Sequence, residues 1–169
     1  MIRKLLIALL VVMILIQFIR PAKNLSNDDT YALSTKYHVP DSVQRILQVA
    51  CNDCHSNRTQ YPWYAEIQPV AWWLNHHVTD GKRHLNYSEF ASSNLARQNH
   101  KFEETIEEVK EHGMPLPSYT WFGLHGKADL TDDQRKMLID WAQAQMDTLK
   151  AHYPPDSLIM KRRQPPTGL

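Results

Sequence analysis

Both cysteines of the chain lie in one five-residue segment, Cys51-Asn52-Asp53-Cys54-His55. That placement limits the fold more than any other feature. A secreted domain framed by disulfides spreads several Cys along its length, so that the bridges close long loops. Two thiols separated by two residues can close only a single turn, so the core has to come from buried side chains. The 169 residues fit one domain with appendages, and five Trp and seven Tyr are its large core-builders. Apolar residues are 43% of the total, but many stand in the first twenty positions.

A Cys-x-x-Cys-His run reads as the attachment site of a c-type haem. The two thiols add across the vinyl groups of the ring as thioethers, and the adjacent His ligates the iron. A two-residue spacer on a turn at a helix end lets both sulfurs reach one ring edge. Three rivals compete. A structural zinc site wants four ligands, which after two Cys only the nine His of the chain could complete. A thioredoxin-like redox pair needs a βαβ context that the pattern lacks. A plain disulfide leaves His55 unexplained. The expectation is one covalently held haem c on Cys51 and Cys54, with His55 as proximal ligand. A formal charge of +1 with no basic stripe leaves nucleic acid without the clustered Lys and Arg it needs.

The N-terminus has its own pattern. Arg3 and Lys4 precede an apolar run over residues 5–19, broken at Gln17. The following Phe18-Ile19-Arg20-Pro21-Ala22-Lys23 offers no small-residue cleavage pattern, so a retained signal anchor is preferred over a cleaved signal peptide. Such a helix spans about 22 Å at ~1.5 Å per residue. That is short of a ~30 Å hydrocarbon core, with snorkelling basic side chains making up part of the difference. Arg3 and Lys4 favour a cytoplasmic N-terminus with the domain exported to the periplasm. Attachment of c-type haem takes place on that exported side, so two unrelated signals agree. The expected organisation is an anchor or signal peptide over 1–20, a polar tether over 21–38, a haem domain over 39–150 and a Pro-rich irregular tail over 151–169. The tail carries Pro154-Pro155, Lys161-Arg162-Arg163 and Pro165-Pro166.

Between these limits the spacing is helical. Val43, Ile46, Leu47 and Ala50 recur at helix spacing behind Pro40 and Asp41, in a helix that runs into Cys51. A second stretch, residues 67–78, carries Val70, Trp73, Leu74 and His77 on one face, with Gly81 after its end. Ser88-Glu89-Phe90 opens a short third helix. Phe102, Ile106 and Val109 define a fourth, for which Gly113 is the left-handed cap. After a loop rich in Pro and aromatics, Thr131 with Gln134 forms a capping box. The helix behind it presents Met137, Leu138, Trp141, Ala142 and Leu149. No segment alternates as a strand does, and the predicted class is all-α: a helical haem domain preceded by a single N-terminal transmembrane or signal-anchor helix.

For the sixth iron position Met114 leads, in Gly113-Met114-Pro115 between two helices. A thioether favours the ferrous form and raises the potential. Met is also the ordinary gap-filler of cores, and His112, His76, His77, His84 and His125 stay open as alternatives. Trp63, Trp72, Trp73, Trp121 and Trp141 could line a haem crevice or simply pack. Glu103-Glu104 and Glu107-Glu108 form a solvated face suited to a basic redox partner.

The order of helix, Cys51-x-x-Cys54-His55, Met114-Pro115 and a final helix opened by Leu130-Thr131-Asp132-Asp133-Gln134 resembles a monohaem cytochrome c domain. More closely, Tyr61-Pro62-Trp63-Tyr64, Pro69-Val70-x-Trp72-Trp73, His84-Leu85-Asn86 and Ser88-Glu89-Phe90 resemble the small membrane-tethered "haem-binding domain" family over about residues 39–150. The resemblance implies one covalent haem. It also assigns to the carbonyl of Pro62, the nearest match to the cytochrome Gly-Pro, the orienting of the proximal His. The segment of about residues 63–98 is larger than a minimal cytochrome needs and brings in three His. The leading functional expectation is a one-electron carrier at the periplasmic face of the membrane with a protein redox partner. The alternatives are a peroxidase-like enzyme using His112 or His77 as acid and base, or a haem-based sensor, for which no output domain is seen.

Overall fold

The computed structural model describes residues 1–160. Among these residues the chain is all-helical: α1 (Ile2–Ile16), α2 (Asp41–Ala50), α3 (Asn52–His55), α4 (Val70–His84), α5 (Leu95–Lys110), α6 (Pro117–Thr120) and α7 (Asp132–His152). An isolated antiparallel bridge joins Leu25 to Arg58. Lys161-Arg162-Arg163 and Pro165-Pro166 of the expected tail lie outside the described residues.

The expected membrane-spanning helix is corrected. No helix among the described residues is long and apolar enough to cross a membrane. The apolar run stops being helix at Gln17, where tertiary hydrogen bonds take over. Its side-chain amide donates to the carbonyls of Met13 (2.9 Å) and Gln68 (3.3 Å), and its Oε1 accepts from the Gln68 N–H at 2.9 Å. The Ile19 carbonyl then accepts from Gln68 Nε2 (2.7 Å) and Trp72 Nε1 (3.0 Å). Residues 17–19 are therefore tied to the start of α4, and 15 helical residues remain, about 22 Å of length.

The described chain divides into two compact units. The first comprises residues 1–29 and 52–88, the second 30–51 and the chain from 89 onward. In the second, α5 packs along α7, and α2 also packs on α7. Phe102 of α5 is 1% exposed. Its ring stands 5.0 Å from those of Tyr37 and Phe90 and 5.7 Å from Trp141. Burial of such a ring stabilises by about 1.5–3 kcal/mol. Trp141 satisfies its indole N–H on the His38 carbonyl at 3.0 Å. Leu33 and Tyr37, within the 21–38 stretch, are buried in this unit.

The first unit is built differently. Its buried apolar side chains are Ala65, Ala71, Val78 and Tyr87, beside buried Ser56, Asn57, Thr59, Gln68 and Ser88. Hydrogen bonds take the place of apolar volume. Asn24 Nδ2 donates to the Ser56 carbonyl (2.8 Å) and Thr59 Oγ1 (2.9 Å), and α3 packs on α4.

Helix ends follow sequence where capping is local. Thr131 Oγ1 accepts the Gln134 N–H at 3.3 Å and Gln134 Oε1 accepts the Thr131 N–H at 2.9 Å, the expected capping box. Where ends depend on tertiary neighbours they differ. Helix α4 continues through Gly81 to His84. Ser88-Glu89-Phe90 leads only into a 3-10 turn, Phe90–Ser92. The left-handed residue after α5 is His112 (φ 59°), not Gly113. Gly113 is instead packed so closely on the Glu108 carboxylate that a Cβ there would collide with it. On α7, Leu138, Trp141, Ala142, Met146 and Leu149 are buried, whereas Met137 is exposed, lying about 100° around the helix from Leu138.

Candidate functional site

Cys51 closes α2, its N–H donating to the Leu47 carbonyl at 3.0 Å. The single turn of α3 carries Asp53, Cys54 and His55. Cys51 thus belongs to the second unit and Cys54 and His55 to the first. Burial pushes the Cys54 thiol up to about 11, and the Asp53 carboxylate adds to the effect. A redox-active Cys-x-x-Cys pair needs the opposite, a thiol held low. Among the described residues no three His, Cys, Asp or Glu side chains converge as ligands of a metal ion, so a zinc site of the structural type has no support.

The half-buried His55 has defined surroundings. Its Nδ1 lies 3.0 Å from the Gly81 carbonyl and 3.0 Å from the Leu85 carbonyl. Carbonyls only accept, so Nδ1 carries the proton and the lone pair of the neutral ring is on Nε2. Its own carbonyl accepts the Tyr87 N–H at 2.8 Å. The Gly81 carbonyl, which also accepts the Leu85 N–H at 2.9 Å, and the Leu85 carbonyl just past the end of α4 both face the imidazole. Gly81 makes the approach possible: a Cβ there would stand 2.7 Å from the Cys54 carbonyl oxygen and 3.0 Å from its Cβ. Behind His55, Asn57 is buried and donates to the Asp28 carbonyl at 2.8 Å, while its oxygen accepts from Asn86 Nδ2 at 2.9 Å. Its N–H donates to Ser88 Oγ at 3.0 Å. The segment after the motif is therefore clamped by residues 86–88.

Pro62 sits apart from this arrangement, its carbonyl accepting the Ala65 N–H at 3.0 Å in the turn before α4. The carbonyls facing His55 Nδ1 are those of Gly81 and Leu85. His76 and His84 are exposed on α4, with His84 Nδ1 bonded to the Asp80 carbonyl at 2.9 Å. His77 is half-buried, its ring 4.4 Å from that of Trp73 and its Nε2 enclosed without a hydrogen-bond partner. Burial, with the His76 charge second, lowers its affinity for a proton. The ring nitrogens of His55 point to opposite sides of the imidazole, so the α4 carbonyls stand behind the ring and Nε2 is turned away from them.

In the second unit Met114 is half-buried, its N–H donating to the Glu108 carbonyl at 3.1 Å. His112 is exposed, and His125 stacks on Tyr119 at 4.1 Å. Trp141 is a core residue, while Trp63, Trp72, Trp73 and Trp121 are exposed. In the sequence Gly81 reads only as a helix stop, Leu85 and Asn86 only as part of a family resemblance, and Asn57 carries no reading at all. Gly81 did carry a signal, since a glycine inside a helix costs about 1 kcal/mol against Ala and so marks a close approach. A backbone carbonyl such as that of Leu85 carries none. A family model described as "Haem-binding domain" matches residues 11–144. No curated protein and no solved structure matches the chain.

Proposed function

Because the chain belongs to the haem-binding domain family, we propose that it holds one haem c through thioethers to Cys51 and Cys54, ligated by His55, and carries single electrons in the periplasm. The observation that supports this most is the environment of His55. Two carbonyls at 3.0 Å hold the Nδ1 proton, which selects the tautomer with its lone pair on Nε2 and orients the ring for an iron. The close seat of Cys54 on Gly81 fits a motif whose sulfur and imidazole must keep one spacing. When bound, haem supplies a one-electron iron couple. The residues supply attachment, ring orientation and the axial ligand.

Met114 is the sixth ligand in this reading. His76, His77 and His84 belong to the helix that stands on the Nδ1 side of His55, away from the iron that Nε2 would take. Export is supported by the basic residues ahead of the apolar N-terminal run. The exposed Glu103, Glu107 and Glu108 form an acidic face for a basic redox partner.

The test is chain matured with haem in an exporting host. The parent is expected to keep haem through a denaturing gel, and the C51A/C54A double variant to lose it. The ferrous parent should be six-coordinate and low-spin. High-spin haem that binds carbon monoxide at once and consumes peroxide would replace the electron carrier by an enzyme or sensor. Retention of haem by C51A/C54A under denaturation would refute thioether attachment.

A further inference from the structure

Arg135, on α7, is a cation that is only 9% exposed. Its Nη1 donates to the carbonyls of Val109 (3.2 Å) and Met114 (2.8 Å), and its Nε is enclosed without a hydrogen-bond partner. Among the described residues no carboxylate pairs with it. Burying a guanidinium is costly unless it is fully satisfied, and an apolar side chain would suit this position on the buried stripe of α7 better. The residue is therefore poorly explained by stability alone. Its two bonds do something specific: one nitrogen bridges the Val109 carbonyl at the end of α5, which also accepts the His112 N–H at 3.4 Å, to the residue that follows the turn.

The consequence falls on Met114. Its N–H is taken by the Glu108 carbonyl and its C=O by Arg135, so both backbone polar groups of that residue are tied to the frame of α5 and α7. Gly113 beside it is packed on Glu108. A methionine that merely filled a gap would look like Met146, which is 7% exposed in the core. Met114 instead combines a half-buried side chain with a pinned backbone, the arrangement of a presented ligand. Resting on the reading of Met114 as the sixth iron ligand, we infer that Arg135 is a positioning residue that presents the Met114 thioether to the haem iron.

The inference is tested on haem-loaded protein with M114A, R135M and R135K. R135M keeps the apolar stem and loses the donors. R135K keeps the charge, but its ammonium falls about one bond short of Nη1. The expected result is that both Arg135 variants retain covalent haem and helical circular dichroism. Each loses most of the far-red methionine–iron charge-transfer band and moves its reduction potential toward that of M114A. If R135M does not accumulate, R135K carries the same readout, and its retained charge separates positioning from field effects on the potential. Full band intensity and an unchanged potential in R135K or R135M, with both lost in M114A, overturn the role of Arg135 alone. An unchanged band in M114A overturns the ligand reading itself, and the inference with it.

Discussion

At Gly81 two energies oppose each other. An alanine in a helix interior is ordinarily about 1 kcal/mol more favourable than glycine. Here its Cβ would lie 2.7 Å from the Cys54 carbonyl, and overpacking of that kind costs roughly 1–3 kcal/mol. The clash wins, because the atom it meets is backbone and cannot swing aside. G81A is expected to be less stable by about 1–2 kcal/mol, with a lower yield of haem-stained protein. Thermal unfolding and in-gel haem staining check both, and a G81A protein at least as stable as the parent would show that α3 and α4 do not approach so closely. In the sequence this glycine reads as a helix stop. Its other meaning, a point of contact, depends on a partner 27 positions earlier in the chain.

At the scale of an element, α7 and α1 illustrate when a helix is legible. The capping box of α7 is written within four residues, and the structure reproduces it. T131A is expected to cost about 1 kcal/mol and T131G only a few tenths, since glycine lets water reach the exposed N–H groups. The difference between their melting temperatures measures the cap. Equal losses for the two would place the contribution of Thr131 elsewhere than in its hydroxyl. The extent of α1 was not legible in the same way. Hydropathy carries the run to Ile19, but the chain leaves the helix at Gln17, where its amide binds Gln68. A single polar side chain with a distant backbone partner thus decided the length, and with it the absence among the described residues of a helix able to span a membrane.

For the whole molecule, the contrast between the two units carries a prediction. The unit of α5 and α7 buries Phe102, Leu138, Trp141 and Leu149, whereas the unit of α4 buries Ala65, Ala71, Val78 and Tyr87. At roughly 25 cal/mol per Å² of apolar surface, the second list stabilises far less than the first. Local stability follows buried apolar contact. In haem-free protein the amides of α4 are expected to exchange faster than those of α5 and α7, and haem loading should slow α4 selectively, because a ligand stabilises the state that binds it. Equal protection of α4 with and without haem would contradict the assignment of His55 as the group that engages it.

The chain by itself determined the all-helical class, the helix that runs into Cys51 and the capping box, and it supplied the expectation that Cys51, Cys54 and His55 hold a haem. All of these are local, resting on side-chain period and on residues within a turn of each other. Only the tertiary structure decided the rest: the carbonyls of Gly81 and Leu85 on His55, the end of α1 at Ile16, and Arg135 on the Met114 carbonyl. Each of these joins atoms distant in sequence, at least one of them backbone, and a backbone carbonyl looks the same in every residue. The pair of cysteines set the expectation of a covalent haem; the fold determined which backbone atoms hold His55 in place.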